Sequence, residues 1–98
     1  MKDIYFPLRY KKALINKTKN TTIRIGNEIG KYEVGKTYFA KSYAGNEWDI
    51  KIIIKDVIPT TFGDLEKYGI PKRTISSIMR KEKVDTKTYI EIVRFDYS

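Results

Sequence analysis

Between Trp48 and Ile58 the chain reads Trp-Asp-Ile-Lys-Ile-Ile-Ile-Lys-Asp-Val-Ile, and this run limits the possible folds more than any other stretch. It is rich in β-branched residues, and the side chains of a strand alternate between two faces. Ile50, Ile52 and Ile54 therefore face one way while Lys51, Ile53, Lys55 and Val57 face the other, so one side is core and the other mixed. A chain of 98 residues has room for one core, burying roughly 65% of the surface its unfolded form would expose. Residues 1–98 are accordingly expected to form a single domain arranged about this long strand, with Pro59 as its end.

The remaining segments supply its neighbours. Ile4, Tyr5 and Phe6, closed by Pro7, read as a short edge strand. Leu8 to Lys17 reads as a helix, with Tyr10, Ala13 and Leu14 on one stripe and Arg9, Lys11 and Lys12 largely off it, so it should lie on the sheet as a lid, basic side outward. Thr21 to Ile25 is a β-branched strand, followed by a loop bounded by Gly26 and Gly30. Past a turn at Gly35 and Lys36, Thr37 to Ser42 is another strand, and Gly45 with Asn46 marks a hairpin turn into the long one. Thr60 or Thr61 is placed to cap a short helix over Phe62 to Tyr68 that Gly69 stops. Pro71 opens a helix to about Lys83 whose apolar stripe is Ile75, Ile78 and Met79. Thr88 to Phe95 closes the chain as a strand, Ile90 and Ile92 on one face and Tyr89, Glu91 and Val93 on the other. The expectation is an α+β domain of about five mostly antiparallel strands curled into a small barrel with flanking helices, since closure removes exposed edges.

Composition narrows the chemistry. Cysteine and histidine are both absent, which excludes disulfides, thiolate zinc sites and a cysteine nucleophile, and leaves catalysis to Lys, Thr, Ser, Tyr or carboxylates. Asp64 and Glu66 lie two apart on a helix and make a poor metal pair, so neither a metal nor a cofactor is expected. Twenty Lys and Arg against twelve Asp and Glu leave a formal charge of +8, a field that attracts polyanions, nucleic acid foremost. No apolar run approaches the roughly 18 residues of a membrane span, and a cytoplasmic monomer is the default expectation.

The candidate site is Lys19-Asn-Thr-Thr-Ile-Arg24, at a helix-to-strand junction where functional groups are commonly displayed. Alternation puts Thr22 and Arg24 on one face, with Lys19 just upstream and able to fold back toward it. Thr22 could act as a nucleophile if Lys19 were neutral, which burial or the neighbouring Arg24 charge would favour. Arg9, Lys12, Lys36, Lys72, Arg73 and Arg80 are candidate phosphate contacts, Tyr38 and Tyr43 candidate base platforms, and Trp48 a core residue.

Taken in order, Phe6-Pro-Leu-Arg-Tyr10, the helix, Lys19-Asn-Thr-Thr-Ile-Arg24, Gly35-Lys36, the long strand running into Thr61-Phe-Gly-Asp-Leu65 and the terminal Tyr89-Ile-Glu-Ile-Val-Arg-Phe95 resemble the ASCH domain of the PUA-like superfamily over nearly the whole chain. That resemblance implies a β-barrel with flanking helices and binding of nucleic acid, usually RNA, in a cleft beside the barrel. Some proteins of similar architecture are amidohydrolases that remove the acetyl group from N4-acetylcytidine with a Lys, a Thr and a Glu. The resemblance carries the Lys to Lys19, the Thr to Thr22 and a cleft arginine to Arg24. Their Glu lies just past the short helix near a glycine, where this chain has Tyr68 before Gly69; Glu66 and Asp64 are the nearby carboxylates, with Glu66 the candidate. RNA or a nucleoside is thus the expected partner.

Overall fold

The computed structural model describes residues 2–45 and 47–98, and for Glu47 the backbone only. Five strands form one sheet: β1 (Lys2–Phe6), β2 (Thr21–Ile25), β3 (Thr37–Ser42), β4 (Glu47–Thr61) and β5 (Tyr89–Tyr97). Two α-helices accompany them, α1 (Lys11–Ile15) and α2 (Lys72–Glu82), together with 3₁₀ segments at Leu8–Tyr10, Gly26–Glu28 and Phe62–Tyr68. None of these helices is long and apolar enough to cross a membrane.

β4 is the backbone of the arrangement, as its isoleucines require. The strand order is β1-β3-β4-β5-β2, antiparallel throughout except for the parallel pair β1 and β3. Consecutive strands β1 and β2 therefore sit on opposite edges, joined by the segment between Phe6 and Thr21 that carries α1, and the sheet curls so that these edges approach each other. Two irregularities, at Ala40/Lys41 in β3 and Ile54/Asp56 in β4, assist the curl, because a bulged strand bends and twists more strongly.

The curl stops short of a barrel, which corrects one expectation. β1 and β2 approach but do not pair: the Arg24 guanidinium of β2 lies 5.0 Å from the Phe6 ring of β1 and 5.4 Å from the Tyr32 ring. Side chains from β2 and from the loop after it occupy the place where a closing ladder would run.

The bulge near Lys55 corrects another. Ile54 pairs with Phe95 and Asp56 with Arg94, so one extra residue enters β4 and the alternation shifts phase. Val57 consequently packs with Ile52 and Ile54 against the same core instead of opposing them. Nor does Pro59 end the strand, which continues to Thr61. β3 pairs with β4 only as far as Ile53, so at Pro59 one side of β4 has no β3 partner to lose through the missing N–H.

The single helix expected over Leu8 to Lys17 is a 3₁₀ turn followed by the short α1. Lys17 takes a left-handed conformation, φ 59°, and the amides of Lys17 and Thr18 bond back to Leu14 and Ala13, a Schellman reversal that delivers Lys19 straight to the start of β2. Thr61 occupies the cap position of the Phe62–Tyr68 segment without a side-chain capping bond, Pro71 caps α2 instead of entering it, and Gly69, φ 84°, terminates the 3₁₀ helix as its left-handed cap. The turn at Gly45 is described, with its amide bonded to Ser42, whereas Asn46 lies outside the described residues.

The two faces of the sheet carry separate cores. Inside the curl, Ile4, Phe6, Leu14, Tyr32, Tyr38, Ala40, Ile52, Ile54, Val93 and Phe95 pack together, with Trp48 partly buried against them. Outside it, Phe62, Leu65, Ile75, Ile90 and Ile92 form a second cluster beneath α2 and the 3₁₀ helix before it. β5 serves both, odd residues inward and even residues outward, in the alternation read from its sequence.

Candidate nucleic-acid interface

β2 has β5 on one side only, and its other edge opens onto a cleft of about 290 Å³. The turn after β1 supplies one wall with Pro7, Arg9 and Tyr10, and α2 supplies the other with Ile78, Lys81 and Glu82. Thr22, Arg24 and Glu28 line it from β2 and the turn that follows, and Tyr43 from the end of β3. Arg9, Thr22 and Arg24 thus share one cleft, and Lys19, outside its lining, lies close enough to feel the charges of Arg24 and Arg9.

Register explains the placement of the polar groups. Thr22 pairs with Val93 and Arg24 with Glu91, so all four share the inner face. Arg24 is only 4% exposed and Glu91 only 8%. Glu91 accepts the Gly30 amide at 2.8 Å and so ties the loop after β2 back to β5. Gly26, at φ 62°, begins that reversal and returns Glu28 to Arg24, whose Nη1 donates to Glu28 Oε1 at 3.1 Å. Glu28 also accepts from the Tyr32 hydroxyl and from Lys31 Nζ, each at 2.7 Å. Among the described residues, Arg24 Nε and Trp48 Nε1 are buried without a partner, each at a cost of about 1–3 kcal/mol.

These contacts set the charges. Burial alone would raise the Glu28 carboxyl, but donation from Lys31 and Tyr32 and the charges of Arg24 and Lys31 outweigh it and hold Glu28 below the usual carboxylate range. Burial, reinforced by the bond to Glu28, pushes the Tyr32 phenol well upward, so it stays a donor. Lys19 is shifted down, first by burial and then by the positive charges of Arg24 and Arg9. Its Nζ donates to the Thr21 carbonyl at 2.7 Å and lies 4.3 Å from the centre of the Tyr10 ring, while the Tyr97 hydroxyl holds its backbone carbonyl. The Thr22 hydroxyl is not among the partners of Lys19.

Other residues named from sequence lie elsewhere. Glu66 lines a separate hollow of about 210 Å³ with Gly63, Lys72 and Thr86, and its carboxylate is 3.8 Å from Lys72 Nζ. Lys12, Arg73 and Arg80 are exposed on α1 and α2, away from the cleft lining, and Lys36 pairs with Glu33 at 3.6 Å. Tyr38 is buried, accepting the Glu33 amide, so it offers no platform, whereas Tyr43 is 66% exposed at the cleft. The carboxylates that line the cleft with Thr22 are Glu28 and Glu82, with Glu91 opposite Arg24 on the inner face. Their signal in the sequence was weak: Glu28 follows Arg24 by four residues, but only the left-handed Gly26 turn makes them neighbours, and Glu91 meets Arg24 only through strand register.

Neither models of known protein families nor curated protein sequences match this chain. Among solved structures, the crystal structure of an ASCH domain from Lactobacillus crispatus superposes with a TM-score of 0.54, at 9% identity, over 89% of this chain and 69% of that one. An open, curled five-strand sheet with its helices in these positions thus gives the chain an ASCH-like fold.

Proposed function

We propose that this protein binds RNA in the cleft along β2. One observation carries the reading: Arg9, Arg24 and Lys81 come from three separate elements, yet line one cleft together with Tyr10 and Tyr43. Cations that track a phosphate backbone, combined with aromatic surfaces for bases, are the two components of single-strand recognition. The net charge of +8 supports the same reading by raising the local concentration of polyanions. Fluorescence anisotropy of a labelled single-stranded RNA tests it. The unaltered protein is expected to bind, and Arg9→Glu combined with Lys81→Glu to weaken binding by more than tenfold, because each phosphate contact becomes a repulsion. Equal affinity in the two proteins would refute the cleft as the site.

A second reading, amide hydrolysis on an N4-acetylated pyrimidine nucleoside, is favoured by the downward shift of Lys19. With its Nζ turned from the Thr21 carbonyl to the Thr22 hydroxyl, neutral Lys19 would take the Thr22 proton as Oγ1 attacks the amide carbonyl, then pass it to the leaving amine; water would release acetate from the threonine ester. The rate would rise with pH as Lys19 loses its proton, beginning closer to neutrality than an ordinary lysine allows. Chromatography of N4-acetylcytidine incubated with the folded protein decides the matter. Cytidine production that disappears in Thr22→Val is the expected result, and no cytidine from the unaltered protein would reject this reading.

A further inference from the structure

At the mouth of the cleft, Tyr43 stacks on Tyr5 of β1, with ring centroids 6.0 Å apart and planes inclined by 24°. Tyr5 is 36% exposed and Tyr43 66%, so the Tyr5 ring supports one face of Tyr43 while the rest of that ring is open to solvent. Tyr43 also lines the cleft. Neither ring belongs to either of the two core clusters. The pair's support is firm, because Tyr5 lies between Ile4 and Phe6, both fully buried.

We infer that Tyr43, backed by Tyr5, is a stacking platform for a second base, which makes the preferred ligand a single-stranded oligonucleotide of at least two residues instead of a free nucleoside. The inference rests on the RNA-binding reading and adds to it a subsite and a strand state. Two features of the pair and its surroundings support a nucleobase as the occupant. The exposed face is flat and aromatic, and every base has a π-face to place on it. The adjacent cleft carries Arg9 and Lys81 to hold the connecting phosphate. A duplex, with its bases stacked on one another, could offer no free base face to Tyr43.

The experiment uses a labelled trinucleotide and the same trinucleotide with its first, second or third base removed, titrated against the unaltered protein, Tyr43→Ala and Arg9→Ala. Base–aromatic stacking is worth about 5- to 150-fold in affinity. The expected result is a loss of that size in Tyr43→Ala on the complete trinucleotide, with removal of one particular base costing the unaltered protein a similar factor and costing Tyr43→Ala little more. Equal affinity of Tyr43→Ala and the unaltered protein, with Arg9→Ala weakened, would overturn the platform and leave the cleft reading standing. A base-removal penalty identical in the two proteins would also overturn it. Failure of every trinucleotide to bind would remove both readings together. Because Tyr43 is exposed, its replacement leaves both cores intact, and circular dichroism confirms the fold of each variant.

Discussion

The outer core and the inner seam are built from the same two strands, β2 and β5, but on opposite rules. On the outer face Ile23, Ile25, Ile90 and Ile92 meet Phe62, Leu65 and Ile75 in an apolar cluster. On the inner face the same strands present Thr22, Arg24 and Glu91, two of them charged and almost wholly buried. One face follows the ordinary rule that apolar surface is buried for stability. The other keeps an arginine with an unpartnered Nε, which costs stability, and a ring of donors about Glu28 that holds its charge in place.

The comparison breaks if the two faces respond alike to mutation. Phe62→Ala should have the largest effect on stability, about 3–5 kcal/mol in urea denaturation, because Phe62 is fully buried at the centre of the outer core. Arg24→Met should cost only about 1 kcal/mol: the replacement removes an unpaired buried donor, and Glu28 keeps Lys31 and Tyr32. Its RNA affinity should nonetheless fall at least tenfold. A seam variant as unstable as the core variant would show that Arg24 is simply structural.

Glu28 sharpens the contrast at a smaller scale. Its folded-state carboxyl is held below the ordinary value of 4.5, so the folded protein binds fewer protons there than the unfolded chain. The stability it contributes is therefore present above that value and is lost as pH falls through the depressed folded value. Glu28→Gln should flatten the loss of stability below about pH 4.5, measured by urea midpoints across the acid range, with little difference near neutrality in pH dependence. Lys36→Ala should do least: Lys36 is exposed, paired only with exposed Glu33 and remote from the cleft lining, so its stability should change by less than about 0.5 kcal/mol.

Much of the outer core was legible in the sequence, because it depends on local periodicity. Ile90 and Ile92 alternate against Glu91 and Val93 as read, and the stripe of α2 falls on Ile75, Ile78 and Met79. The junction Lys19 to Arg24 was legible too, and Thr22 and Arg24 do share a face. What failed depended on irregularity or distance. A single bulged residue turned Val57 inward, and a missing ladder partner let β4 run through Pro59. Barrel closure was unreadable because it is decided by the side chains wedged between β1 and β2. The candidate carboxylate went to Glu66 by proximity to Gly69, whereas the groups that surround Arg24 arrive through the Gly26 turn and through pairing with β5.

The central claim is that cations of this one cleft hold phosphates, and the salt dependence of RNA affinity tests it most directly. For single strands, log K falls against log salt by about 0.7 per phosphate neutralised. The account predicts a steep negative slope for the unaltered protein, and a slope shallower by about 0.7 in Arg9→Ala and again in Lys81→Ala. Slopes unchanged in both variants, while Arg73→Ala or Arg80→Ala flattens the line, would contradict it and move the interface to the outer surface of α2.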